Sequence, residues 1–138
     1  MSFGMSTVNG PLSVIAQIEE ERDWPRAVVM LAIYLEKHSY LATKEYFESL
    51  KIKIAKKDLE RLHLLDYGFI LLAAGKIGLE ELQTMKLINE VRNKFMHRKE
   101  KYRYKIGTKG KEEYLPLLKR GKELLQKLFT PQVFISRS

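Results

Sequence analysis

The sequence predicts an all-α fold, a single-domain bundle of about five helices. Three observations predict it. Apolar residues recur every three or four positions along nearly the whole chain, the spacing of one helical face. The one alternating stretch, Lys51-Ile52-Lys53-Ile54, is short and has no partner strand, so it reads as a connector. At 138 residues, with 45% hydrophobic and 30% charged residues, the chain has the length and composition of one domain with one core.

The elements follow in order. Residues 1–11 are small and polar, end in the breaker Asn9-Gly10-Pro11, and are expected to form a flexible N-terminus. Leu12 to Arg22 reads as a first short helix. Asp23 is placed to cap a second, with Pro25 in its first turn, where a missing N–H costs little. Val28, Leu31, Ala32 and Leu35 give this helix an inward stripe, and the pattern continues to Phe47. A third block runs from about Asp58 to Ala74 with Leu59, Leu62, Leu65, Phe69 and Leu72 in phase, and Gly75 and Gly78 end it. The fourth helix starts near Leu79, with Glu80 and Glu81 where the helix dipole favours acids, and Leu82, Met85, Ile88 and Phe95 can share one face. Residues 105–110 read as a loop. A last helix, about Lys111 to Phe129, carries Leu117, Leu118, Leu124, Leu125 and Leu128, with Pro116 implying a late start or a kink. Residues 131–138 are expected as an extended tail, leaving 12–130 as the helical domain.

Composition narrows the partners. The formal net charge of +8 favours an acidic partner such as RNA or another nucleic acid. From Lys94 to Lys111 the chain carries Lys94, Arg98, Lys99, Lys101, Arg103, Lys105, Lys109 and Lys111 against a single acid, Glu100. Tyr102 and Tyr104 are interleaved, and aromatic rings among cations stack bases. The same run also fits a solvated loop, or a contact with an acidic partner protein. No apolar stretch approaches the roughly 18 residues needed to span a membrane, and no secretory leader pattern opens the chain. Cysteine is absent, which excludes disulfides and thiolate metal sites and fits a cytoplasmic setting. His38 and His63 have no companion at metal-ligand spacing, and Gly75-Lys76-Ile77-Gly78 lacks the spacing of a phosphate loop. No metal and no cofactor are expected.

The residues that apolar burial leaves unexplained are Arg92, Asn93 and His97 in the fourth helix. Arginine is a permanent planar anion clamp and histidine transfers protons near neutral pH, the two tasks of phosphodiester cleavage. His97 can act as base on a ribose 2′-hydroxyl or as acid on the leaving oxygen, with Arg92 holding the phosphate and Asn93 orienting either. Glu36, in the second helix, is a candidate to order Arg92. The bland alternative is that Arg92 pairs with a core carboxylate while His97 closes a helix end. On an ideal helix Arg92 and His97 lie about 140° apart, so one copy does not align them; a cleft between helices or a two-fold axis would.

Arg92-Asn93 followed after three residues by His97 resembles the Arg-x4-6-His signature of HEPN domains. Asp23-Trp24-Pro25-Arg26-Ala27-Val28-Val29 with Leu35-Glu36, and Leu64 to Ile77 before the motif, resemble the mannitol-repressor-like branch of that superfamily, over roughly Glu19 to Arg98. The resemblance implies an up-and-down bundle, a homodimer with facing motifs, and either a metal-independent endoribonuclease or a non-catalytic regulator or scaffold subunit. One toxin pattern of the superfamily continues as His-x-Tyr; Lys99 stands there in this chain.

Overall fold

The computed structural model describes residues 3–103 and 108–137, with side chains described for 10–96 and 113–129. Among the described residues the chain forms six helices and no strand: α1 (Phe3–Glu20), α2 (Trp24–Ser49), α3 (Lys56–Glu60), α4 (Leu64–Ala73), α5 (Leu79–Arg103) and α6 (Thr108–Arg137). The all-α bundle expected from periodicity is what forms. No helix among the described residues is long and apolar enough to cross a membrane.

The second helix organises the rest because its apolar residues surround it. Val28, Leu31, Ala32 and Leu35 are fully buried, joined by Trp24, Ala27 and Val29. α2 touches every other helix, most extensively α6, then α5 and α4. Asp23 Oδ1 accepts from the Arg26 N–H at 3.4 Å, and Pro25 occupies the first turn, as the sequence implies. The core spans the bundle through Ile15 and Ile18 of α1, Leu64 and Leu71 of α4, Leu82, Met85 and Ile88 of α5, and Leu118, Leu124 and Leu125 of α6.

Several boundaries differ from the periodic reading. α1 begins at Phe3 and passes through Gly10 and Pro11, ahead of the Leu12 start that the breaker predicts. Proline removes one N–H and one helical bond, a local cost a helix can bear when its following turns are anchored, here by Ile15 and Ile18. The block predicted from Asp58 to Ala74 is two helices. His63 stands at the N-cap of the second, and its N–H donates to Asp66 Oδ2 at 2.8 Å. Leucine spacing carries straight across this break, so periodicity alone does not reveal it. The Tyr67 hydroxyl then ties the two pieces by donating to Leu59 O at 2.7 Å. Burial, followed by the nearby Glu36 charge, pushes the Tyr67 phenol up to about 12. Of the loop expected at 105–110, residues 108–110 belong to α6 and 105–107 lie outside the described residues, and the tail expected to be extended is helical to Arg137. Pro116 lies inside α6.

Three helices end by one device. At the ends of α1, α2 and α4, Arg22 (φ 60°), Lys51 (φ 60°) and Gly75 (φ 75°) adopt the left-handed conformation. The next residue's N–H reaches back to Ile18 O, Phe47 O and Leu71 O respectively, satisfying a carbonyl the helix leaves open. Only the third is glycine, which explains why glycine counting misses the other two stops.

Gly121 in α6 marks the closest approach in the core. A Cβ there would run into Leu31 Cδ2 of α2 and lie 2.8 Å from Ile88 Cδ1 of α5. Both neighbours are fully buried. Gly121→Ala is expected to lower the unfolding free energy by about 1–2 kcal/mol, overpacking outweighing the gain in helix propensity. Urea denaturation checks this; an unchanged or raised midpoint would show that α6 moves away without cost.

His38 of α2 is buried with its ring 4.0 Å from that of Phe129 in α6. Burial, then the Lys37 charge, holds its imidazole down to about 4 against an ordinary 6.5. The unfolded chain therefore takes up a proton that the folded chain refuses. This contribution to stability is whole above pH 6.5 and is lost progressively as pH falls from there to the folded value. Denaturation midpoints of His38→Phe should fall less than wild type between pH 7 and pH 4, and parallel curves would count against a neutral buried imidazole.

Candidate functional site

Glu36 is a charged residue at the edge of the inward side of α2, where His38, Ser39 and Thr43 are also polar and buried. It lies one turn after buried Ala32 and directly after buried Leu35. There it meets the first turn of α4, whose leading N–H groups have no helical partner. The Leu64 N–H donates to Glu36 Oε2 at 3.0 Å, so a carboxylate sits where the helix dipole favours one.

The same oxygen receives Arg92. Arg92 Nη1 and Nη2 each lie 3.4 Å from Glu36 Oε2, and Nη2 also donates to Asn89 Oδ1 at 2.8 Å. The Arg92 side chain is 18% exposed and that of Glu36 34%, so the pair is part-buried. One carboxylate oxygen thus links α2, the start of α4 and the middle of α5. Glu36 beside Arg92 is the arrangement expected from the sequence. Asn89 is not among the expected residues, although its position three before Arg92 on a helix is a readable signal.

The other expected residues divide between sides of α5. Asn93 is exposed. Lys94, about 160° round the helix from Arg92 by register, lies on the opposite side. There it lines a groove of about 260 Å³ between α5 and α6 with Leu87, Val91, Pro116, Leu117 and Arg120. Arg92 and Lys94 therefore do not converge on one surface within a single copy. The backbone at His97, Arg98, Lys99, Lys101, Tyr102 and Arg103 continues α5, so the alternative of a solvated loop does not hold as far as Arg103. The side chains of those six lie outside the described residues, as do Tyr104 and Lys105 altogether, so the expected approach of His97 to Arg92 lies outside them too.

No protein-family profile, curated protein or solved structure matches the chain.

The geometry makes Glu36 a structural centre whatever the site does. Glu36→Ala removes a charged hydrogen-bond acceptor from the α4 N-terminus and strands a part-buried guanidinium. It is expected to cost about 1–3 kcal/mol by urea denaturation, with Glu36→Gln costing less because an amide oxygen can still accept from Leu64. Equal effects of the two substitutions would assign the role to charge alone, and no effect of either would remove Glu36 as a fastener.

Proposed function

We propose that the protein is a HEPN-like RNA-interacting module that binds through the basic second half of α5. The observation that carries this reading is the continuity of α5 through Arg103. A continuous helix gives backbone positions 94, 98 and 101 a common side, at spacings of four and three, which would align their cations for one partner. The net charge of +8 supports an acidic partner, and phosphate contacts provide most of the affinity for such a surface. In this reading Arg92 is a positioning residue: its guanidinium is engaged by Glu36 and Asn89 and fixes α5 on the bundle. The protein acts in the cytoplasm as a regulator or scaffold subunit that holds RNA.

A second reading has one observation in its favour. Glu36 and Asn89 hold Arg92 in one orientation and its side chain is only part-buried, as an anion clamp requires. In that reading Arg92 stabilises the phosphate and His97 transfers the proton. The two come from different copies of a homodimer, and the reaction is metal-independent RNA cleavage.

One experiment separates the readings. Pure protein is incubated with mixed RNA in EDTA, with binding and cleavage followed together. Binding is expected to weaken steeply with salt and to disappear when Lys101, Arg103 and Lys105 are changed to Glu. RNA that is bound and left intact is the outcome expected of a binding module. Fragments ending in 2′,3′-cyclic phosphate, reduced about a hundredfold or more in His97→Ala, would establish the nuclease instead. Salt-insensitive binding, or none, would sink both.

A further inference from the structure

The connector between α2 and α3 carries a second set of exposed groups, separate from Arg92 and from the basic half of α5. After Lys51 turns the chain, the Ile52 N–H closes back onto Phe47 O at 2.9 Å. From Ile52 to Ala55 the backbone runs with no turn or bend, and Ala55 is extended at φ −61°, ψ 134°. In an extended chain, N–H groups of successive residues leave opposite edges. Since the Ile52 N–H is used toward α2, those of Lys53 and Ala55 lie along the other edge. Neither has a backbone partner among the described residues, and neither does the Lys53 carbonyl.

The side chains alternate in the same way. Ile52 and Ile54, each 44% exposed, share one face and follow Leu50, which is 50% exposed. Lys53 lies on the other face, Lys51 precedes it at the turn, Lys56 and Lys57 follow, and all four are exposed. No acid occurs from Ser49 to Lys57. Half-exposed aliphatic residues with an unpaired backbone edge between them describe a strand lacking its neighbour.

We infer that this edge docks an extended acidic segment of a partner protein, added as a β-strand that alternates acidic and aliphatic residues. Its backbone pairs with Lys53 and Ala55, its aliphatic side chains cover Ile52 and Ile54, and its carboxylates meet the lysines. Charge selects this occupant. A second copy of the connector would set lysine against lysine, which edge lysines discourage. A lipid surface would receive unpaired N–H and C=O groups at an energetic loss. A nucleic acid would leave the three aliphatic side chains without contacts.

The test uses the whole protein and a fluorescein-labelled peptide repeating Glu-Val, followed by anisotropy and amide exchange. The comparison peptide has the same composition with all glutamates before all valines. Expected are saturable binding of the alternating peptide, weak binding of the block peptide, and slowed exchange at Lys53 and Ala55. Ala55→Pro retains a φ that proline's ring allows and deletes one outward donor, so it should weaken binding by a factor of about three to ten. Lys51→Glu with Lys53→Glu should weaken it about tenfold or more. Circular dichroism confirms that both variants fold. Equal binding of the two peptides, or undiminished binding by Ala55→Pro, would overturn strand pairing. Absence of saturable binding would overturn the proposal altogether. Binding to phosphatidylserine vesicles that is lost in the double charge reversal would reassign the surface to lipid.

Discussion

Everything in this bundle leans on the burial of α2. Its apolar residues do not form one stripe facing one neighbour; they are distributed so that α1, α4, α5 and α6 all pack onto it. Such a helix fixes the position of the others, because each must bury its own apolar face and α2 is the surface they share. Close packing then imposes local requirements. Where α6 crosses Leu31 and Ile88, only a residue without a Cβ fits, and Gly121 stands there.

Within that apolar arrangement, the Glu36–Arg92 pair is a polar contact that ties three helices together. A carboxylate on the central helix meets an N–H that α4 leaves unsatisfied, and its negative charge then draws the guanidinium of α5 toward the same point. Partial burial makes the pair matter more than a surface ion pair. Register puts Lys94 on the far side of α5, so one helix serves two surfaces. One is tied to the core and one faces the α6 groove. A single copy therefore separates Arg92 from Lys94, two cations of the same helix.

The connector after α2 has the opposite character. Here aliphatic residues alternate with lysines on a short segment that leaves Ile52 and Ile54 exposed. Its exposed edge and its charge are consequences of the way α2 ends: Lys51 adopts the left-handed conformation, Ile52 closes the helix, and the next residues emerge without partners.

The helical class, the central stripe of α2, the Asp23–Pro25 start and the start of α5 are all legible in the residues alone, because they depend on spacing and on short-range capping chemistry. Arg92 is legible too, as a planar cation in the Arg92-Asn93-His97 spacing, with Glu36 of the second helix as a candidate partner. The break between α3 and α4 is a tertiary matter, since leucine spacing runs through it while the interruption is set by His63, Asp66 and a carboxylate arriving from α2. The same holds for the helical path through Pro11 and for α5 continuing through the basic run as far as Arg103, because propensity is weak and packing elsewhere along a helix overrides it. Asn89 joins the Arg92 cluster for a similar reason: many polar residues stand three positions apart on a helix, and only the direction in which Glu36 draws the guanidinium selects the one that binds it.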